Sequence, residues 1–187
     1  MPPAAELYLA FPNRKTKRGC FSDAAFYRNR RLLSRSYGGK PRYSFGKFKC
    51  NAQITAHRGG ALRAPENTLS ALSYTWECGA DFAEIDVQET KDGQLILLHD
   101  ESLKRITGLD KNVWEMTYEE IEDLDAGSSF GEKYQGEKIP TLEEVLNFCF
   151  GRLDLNIEIK YNGKNEGIVQ KVVQVIRDNN FQEHCAV

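Results

Sequence analysis

The stretch Phe-Ala-Glu-Ile-Asp-Val-Gln-Glu-Thr, residues 82–90, carries the clearest structural signal in this chain of 187 residues. Its apolar and β-branched residues predict a strand, in which successive side chains alternate between two faces. Glu84 and Asp86 therefore share one face, while Ile85 and Val87 lie on the other. Two neighbouring carboxylates repel each other unless a cation lies between them, so the pair predicts a hard divalent metal with oxygen ligands. The alternative for the pair alone is two solvated acids on the polar face of an antiparallel sheet.

A strand and a helix precede this stretch. Residues 53–57 predict a short strand that ends at a histidine, and a glycine-rich turn follows it. Asn67 or Thr68 is a candidate N-cap for a helix that runs to about Cys78. Gly79 supplies the C-terminal stop of that helix. The chain therefore opens with strand, helix and strand.

A hairpin is predicted immediately after the acidic pair. Asp92-Gly93 lies between the β-prone runs 82–90 and 94–99, which is a strong hairpin signal. If the two residues that flank Asp92-Gly93 pair with each other, Asp86 lies opposite His99. This register predicts that the histidine lies within side-chain reach of the acidic pair.

A polar excursion over residues 100–138 follows the hairpin and is expected to overhang a site. It contains a capping box, Thr117 to Glu120, that predicts a short helix to about Leu124. Thr141 then caps another helix. The apolar stripe of that helix consists of Leu142, Val145, Leu146 and Cys149.

The last third of the sequence repeats the strand and helix pattern. A strand is predicted over residues 153–160, where alternation places Asn156, Glu158 and Lys160 on one face. A helix over residues 166–178 follows, and a further strand starts at Cys185. Repeated units of this kind predict an α/β fold with a parallel sheet or a TIM-type (β/α) barrel. The polar residues cluster at the carboxyl ends of the strands, where barrel enzymes hold their active sites.

The length available to this fold is short. His57 to Val187 spans 187 − 57 + 1 = 131 residues, against roughly 250 for a barrel of eight units. We therefore expect a barrel truncated to about its first half, as the N-terminal portion of a larger protein.

Charge divides the chain into two segments. Residues 1–50 carry about +10 and residues 51–187 about −12, which gives the overall −2. A basic segment without apolar periodicity predicts a weakly ordered leader. Its cationic runs could contact anionic lipid or nucleic acid, and the alternative is a solvated tail. No apolar run has the length of a membrane span or the pattern of a signal peptide, so we expect a protein that is neither secreted nor integral to a membrane.

Five cysteines without a Cys-x-x-Cys spacing argue against both a disulfide framework and a zinc site. We therefore expect the cysteines to be reduced thiols. Cys78 and Cys149 lie in apolar helical patterns, where a small buried side chain is the ordinary interpretation.

Eight short motifs, in order and at close to family spacing, resemble the glycerophosphodiester phosphodiesterases. The resemblance covers about Ile54 to Val187. Single motifs are weakly specific, but the full series is very specific. The motifs are His57-Arg58-Gly59-Gly60, Pro65-Glu66-Asn67-Thr68, Gly79-Ala80-Asp81, Glu84-Ile85-Asp86-Val87, Thr90-Lys91-Asp92-Gly93, His99-Asp100, Ile139-Pro140-Thr141-Leu142 and Ile157-Glu158-Ile159-Lys160.

The resemblance implies a barrel of the phospholipase C-like phosphodiesterase kind, with residues 51–187 as its catalytic domain and an insertion at about residues 88–138. It implies hydrolysis of glycerophosphodiesters to sn-glycerol 3-phosphate and an alcohol. The family's metal ligands fall on Glu84, Asp86 and Glu158, and its two acid-base histidines fall on His57 and His99. One divalent cation, Mg²⁺ or Ca²⁺, suits these oxygen ligands.

Phosphate binding is expected from two cations. Arg58 offers a planar fork for a phosphate oxygen, and Lys160 a compact positive charge. Outside the motif series, a surface salt bridge would be the ordinary interpretation of such an arginine. The attacking group is either water or a hydroxyl of the substrate, which would give a cyclic phosphate.

Other interpretations stay open. The chain could be a related barrel phosphodiesterase that acts on lysophospholipid or sphingomyelin, or an inactive fragment that exposes strand edges. The expected partner is a small glycerophosphodiester and not nucleic acid. The expected location is cytoplasmic or membrane-associated. Membrane association would come from binding of the basic segment to a membrane surface, or from a missing membrane domain next to that segment.

Overall fold

The computed structural model describes residues 7–10 and 53–187. Six strands in these residues form one sheet. They are β1 (Leu7–Ala10), β2 (Gln53–Ala56), β3 (Phe82–Glu89), β4 (Leu95–Leu97), β5 (Asp154–Ile159) and β6 (Cys185–Ala186).

β3 lies at the centre of the sheet, whose strand order is β1-β2-β3-β5-β6 with β4 added beside β3. β2, β3, β5 and β6 run parallel, and β1 and β4 run antiparallel to their neighbours. Helices connect the parallel strands, so the predicted α/β fold with a parallel sheet is confirmed.

Five α-helices lie in the described residues. They are α1 (Leu69–Cys78), α2 (Lys104–Thr107), α3 (Tyr118–Ile121), α4 (Leu142–Cys149) and α5 (Ile168–Asp178). Short 3₁₀ turns occupy His57–Gly59, Val113–Glu115, Glu132–Tyr134 and Gln182–His184. Thr68 is the N-cap of α1, since its hydroxyl accepts from the amide of Ala71, and Gly79 ends the helix in the left-handed conformation.

The two faces of the β3–β4 hairpin are covered by different layers. On one face Ile85, Val87, Leu95 and Leu97 pack with apolar residues of α1, α4 and α5 in the main core. On the other face Ile96 and Leu98 pack against the excursion. The second core also contains Leu103, Ile106, Val113, Ile121 and Ala126 of the excursion, and Ile139 directly after it. The segment that its composition marks as polar is therefore a packed layer over the end of the sheet.

The predicted hairpin register is wrong by one residue. Glu89 pairs with Leu95 and Val87 with Leu97, so Leu98 lies opposite Asp86, and its amide donates to the carbonyl of Asp86 at 3.1 Å. The hairpin has three loop residues, with Gly93 in the left-handed conformation, where two had been expected. A three-residue loop that ends in a left-handed glycine is a common hairpin solution and shifts the register by one position.

Strand β1 lies inside the segment predicted to be a basic leader, and it pairs with β2. The rest of that prediction, and Cys20 and Cys50, lie outside the described residues. Cys78, Cys149 and Cys185, the cysteines within the described residues, form no disulfide there. None of the described helices combines the length and the hydropathy that crossing a bilayer requires.

Candidate active site at the carboxyl ends of β3 and β5

Three carboxylates converge on one face of the sheet. Glu84 and Asp86 project from β3, and Glu158 projects from β5, where it pairs in register with Asp86. One carboxylate oxygen from each residue lies within 4.8 Å of the other two. Parallel pairing brings Glu158 to the acidic pair, because residues that face each other across a ladder share a face. We call Glu84, Asp86 and Glu158 the acidic cluster.

The donor set of the acidic cluster fits a divalent cation. Glu84 Oε1 is buried and has no hydrogen-bond partner, while Oε2 accepts the backbone N–H of Arg58 at 2.6 Å. Burial raises the pKa of Glu84, and the neighbouring charge of Asp86 adds to that shift. A buried carboxylate oxygen without a donor is costly, and an oxygen-preferring cation would satisfy it.

Asn67 holds Asp86 in place. Its side-chain amide donates to Asp86 Oδ2 at 2.8 Å, and its side-chain carbonyl accepts the backbone N–H of Asp86 at 3.1 Å. Asn67 has a φ of 56°, a left-handed conformation that asparagine adopts more readily than most residues. Asn67 is therefore not the cap of α1 but a support of the acidic cluster. Its position directly before the cap threonine was the only signal of this role in the sequence.

Lys160 lies against the acidic cluster. Its Nζ is 2.8 Å from Asp86 Oδ1 and 2.5 Å from Glu158 Oε1. Burial by itself lowers the pKa of Lys160, but hydrogen bonds to Asp86 and Glu158 outweigh it and the pKa is raised. Lys160 is therefore a positive charge held against two of the three carboxylates.

His57 and Arg58 enter the site from the 3₁₀ turn that follows β2. His57 Nε2 lies 3.8 Å from Glu84 Oε2. Arg58 has a φ of 49°, which is uncommon for a residue with a large side chain and is typical of functional sites. Its guanidinium donates to both oxygens of Glu66 at 3.2 and 3.3 Å, and its Nε lies 3.9 Å from Asp86.

His99 lies in the loop after β4. It is not opposite Asp86, as the predicted register had it, because Leu98 takes that position. Its Nδ1 is 2.8 Å from Asp100 Oδ1. A hydrogen bond from Arg105, followed by the bond to His99, holds the pKa of Asp100 at about 2 despite partial burial. Gln88, fully buried on the face of the acidic cluster, donates to the carbonyls of Leu98 and Asp100 at 2.9 and 2.5 Å.

The structure thus brings Glu84, Asp86, Glu158 and Lys160 together, with His57 and Arg58 beside them, and holds His99 on a separate loop. The supports missed from the sequence are Asn67, Gln88, Asp100 and Arg105. A groove of about 480 Å³ adjoins the site, within the size range of small-ligand pockets. It is lined by Glu84, Asn156, Ile157, Glu158, Ile159, Val169, Ala186 and Val187.

Comparison with known proteins identifies similar sequences. A model of the glycerophosphoryl diester phosphodiesterase family matches residues 57–185. The glycerophosphodiester phosphodiesterase of Caldanaerobacter subterraneus subsp. tengcongensis is 45% identical over 137 residues, which cover 72% of this chain and 56% of that protein. A human lysophospholipase D is 36% identical over 138 residues, which cover 71% of this chain and 43% of that protein.

A solved structure is similar to this chain as well. The phosphodiesterase of Oleispira antarctica, in complex with the product sn-glycerol-3-phosphate, superposes with a TM-score of 0.63 at 35% identity. The match covers 68% of this chain and 52% of that chain. This chain therefore spans about half the length of the relatives that it matches.

Proposed function

Because the chain belongs to the glycerophosphoryl diester phosphodiesterase family, we propose that it supplies the metal-binding and acid-base residues of an enzyme of that kind. The substrates are glycerophosphodiesters, and the products are sn-glycerol 3-phosphate and an alcohol, as in the breakdown of glycerophospholipids. The observation that carries the proposal is the acidic cluster, with its buried and unpaired Glu84 Oε1. Residues 51–187 form the catalytic domain, with an insertion at about residues 88–138.

Glu84, Asp86 and Glu158 are the proposed ligands of one divalent cation, Mg²⁺ or Ca²⁺. Both ions prefer carboxylate oxygens. When bound, such an ion neutralises the negative charge that develops on the phosphate oxygens during displacement. Asn67 keeps Asp86 aimed at the site through two hydrogen bonds.

His57 and His99 are the proposed acid-base pair. One imidazole accepts the proton of the attacking hydroxyl as its oxygen bonds to phosphorus. The other, as imidazolium, donates a proton to the alkoxide as the P–O bond to the alcohol breaks. Histidine suits both steps, because its ordinary pKa of about 6.5 allows both protonation states near neutral pH. The attacking hydroxyl belongs to water or to the glycerol group, and the second route passes through a cyclic phosphate.

Arg58 and Lys160 are the proposed phosphate-binding residues. Lys160 lies against Asp86 and Glu158, so its ammonium would be beside a phosphate bound at the acidic cluster. The Arg58 guanidinium is held by Glu66 and so presents a fixed fork. The complex of the Oleispira antarctica homologue with sn-glycerol-3-phosphate supports a small phosphate ester as the ligand.

A lysophospholipid is the second candidate substrate, because a human lysophospholipase D is among the relatives. Both substrates contain the same glycerophosphodiester linkage and differ in the acyl chain on glycerol. None of the relatives described above is named for an activity on sphingomyelin. Attachment to an anionic membrane through the basic residues 1–50 stays a prediction.

The test is release of glycerol 3-phosphate from glycerophosphocholine, and of lysophosphatidic acid from lysophosphatidylcholine, with and without chelator. We expect Mg²⁺- or Ca²⁺-dependent turnover when a complete barrel is supplied, and Glu84→Gln in that protein should lower it at least about a thousandfold. Glu77→Gln, at an exposed position on α1, is the matched control and should behave as the wild type. Turnover that persists in chelator and in Glu84→Gln contradicts the proposed mechanism.

A further inference from the structure

A row of charged side chains connects the two loops that carry His99 and Arg58. Asp100 Oδ1 lies 2.8 Å from His99 Nδ1, and Asp100 Oδ2 accepts from Arg105 Nε at 2.5 Å. Arg105 then donates from Nη2 and Nη1 to the two oxygens of Glu66 at 2.6 and 3.1 Å. Glu66 also accepts from Arg58. Both oxygens of each carboxylate are thus engaged.

We propose that Asp100 and Arg105 are positioning residues that fix the tautomer and the orientation of His99. Asp100 accepts the Nδ1–H of the imidazole, which leaves Nε2 as the atom that exchanges a proton with the substrate. The inference rests on the proposed function, which gives His99 its acid-base role. It adds the two residues that set the tautomer and the orientation of His99 for that role.

Asp100 is a fixed acceptor for two reasons. Its second oxygen is bonded to Arg105, so the carboxylate cannot rotate without breaking a charge-assisted hydrogen bond. Its pKa lies at about 2, so it stays ionised wherever histidine titrates. A carboxylate on one ring nitrogen of a histidine selects which nitrogen carries the proton.

Arg105 is itself held by the other loop. Its bidentate pair with Glu66 ties α2 to the segment that follows β2, and the Glu66 side chain is only 14% exposed. Since Glu66 also holds Arg58, one carboxylate fixes the distance between a proposed phosphate-binding residue and the support of His99. Gln88 on β3 holds the backbone of the His99 loop, because its side-chain amide donates to the carbonyl of Asp100.

His184 provides an internal comparison. Its Nδ1 lies 3.0 Å from Asp154 Oδ1, but both side chains are more exposed, at 42% and 45%. Asp100 is also bonded by an arginine, whereas no arginine among the described residues donates a hydrogen bond to the second oxygen of Asp154. The chain has three histidines in all, so each imidazole can be assigned by single substitution.

The test is the tautomer of each histidine, measured by long-range proton–nitrogen NMR correlation above the pH at which the imidazoles titrate. We expect His99 to carry its proton on Nδ1 in the wild type and mainly on Nε2 in Asp100→Ala. Arg105→Gln should give a mixture, and Arg105→Lys should restore part of the Nδ1–H form. Wild-type His99 protonated on Nε2, or a folded Asp100→Ala variant with an unchanged tautomer, overturns the proposal.

The matched control is Lys104→Gln, which removes the same charge one residue earlier in α2. Lys104 pairs with Asp110 at the surface and should leave His99 unchanged. His184 should be the same in every variant. A change of His99 in Lys104→Gln equal to that in Arg105→Gln would assign the effect to general loosening of α2 and overturn the role of Arg105.

Kinetics separate this proposal from the proposed function. In the active enzyme, Asp100→Ala should lower kcat about 10- to 1000-fold with KM changed less than about threefold, as expected for loss of an orienting carboxylate. Because the tautomer is measured without substrate, it stands apart from turnover. If His99→Gln keeps full activity while His99 shows the expected tautomers in the wild type and in Asp100→Ala, only the acid-base role is refuted. If Asp100→Ala loses activity while its His99 keeps the wild-type tautomer, only the positioning role is refuted.

Discussion

The acidic cluster and the two histidines are held in different ways. Glu84, Asp86 and Glu158 lie on adjacent parallel strands, where the ladder between β3 and β5 sets their spacing. His57 and His99 lie just beyond strand ends, in a 3₁₀ turn and a loop. Strand pairing brings the three carboxylates together, and Asn67 then holds Asp86 through two hydrogen bonds. The loop of His99 is instead held by Asp100, Arg105 and Gln88. The comparison teaches that the backbone ladder sets the spacing of the strand-borne groups, whereas the position of His99 depends on hydrogen-bonded side chains.

The largest expected effect on the strand-borne half comes from Asn67→Ala. The change leaves the backbone N–H and Oδ2 of the buried Asp86 without their partners, which costs about 1–3 kcal/mol of unfolding free energy. Loss of such a support lowers metal affinity about 10- to 100-fold. Chemical denaturation and metal titration measure the two effects.

Asn180→Ala is the control for that variant. Asn180 also has a left-handed backbone, with a φ of 54°, but lies at an exposed position after α5. It measures the backbone cost of alanine at positive φ without any effect on Asp86. Equal losses of stability and of metal affinity in the two variants would remove Asn67 from the account of the site.

The sequence predicted the strand-borne half because its signal is local. Alternation in β3 placed Glu84 and Asp86 on one face, and the same rule in β5 placed Glu158 and Lys160 together. In the loop-borne half, the hairpin signal placed His99 opposite Asp86, which is wrong by one residue, and the acid-base roles of His57 and His99 came from the resemblance to a family. The length of the hairpin loop set the position of His99, and an Asp-Gly pair suits both a two-residue and a three-residue loop.

The side chains that support the site could not be predicted for a related reason. The hydrogen-bond partners of Asn67, Gln88 and Arg105 lie 10 to 39 positions away in the sequence. These partners can be identified only when the register of the strands is known. The second core had a weak signal, because its apolar residues are scattered through a polar excursion without one helical or strand period.

A smaller effect is expected in the loop-borne half from Gln88→Leu. The substitution removes two hydrogen bonds to the carbonyls of Leu98 and Asp100, at about 1 kcal/mol of net stability. Because the His99 loop loses its clamp, amide hydrogen exchange should accelerate over residues 98–100 and remain unchanged in β5. Gln174→Leu, at an exposed position on α5, is the control. Exchange that is unchanged over residues 98–100 would contradict the clamp.

The smallest expected effect is on acid stability. The folded-state pKa of Asp100 is about 2, against an ordinary 3.8, chiefly because Arg105 donates to it. The stabilisation is therefore complete above about pH 4 and is lost as the pH falls to 2. After discounting for the exposure of Arg105, Arg105→Gln should cost about 0.5 kcal/mol at pH 7.

That difference from the wild type should disappear near pH 2. Urea denaturation at several pH values measures it, with Lys104→Gln as the control. A difference that is the same at pH 2 and pH 7 would show that Arg105 stabilises the fold by contacts other than its pair with Asp100.

The central claim is that three carboxylates on β3 and β5 grip one divalent cation. Isothermal titration with Mg²⁺ and Ca²⁺ of the wild type, Glu84→Gln, Glu158→Gln and the control Glu77→Gln tests it without reference to turnover. We expect one site per chain in the wild type and in Glu77→Gln, and affinity at least about tenfold weaker in each of the other two variants. Binding of equal strength in all four proteins, or no binding to the folded wild type, would contradict the account.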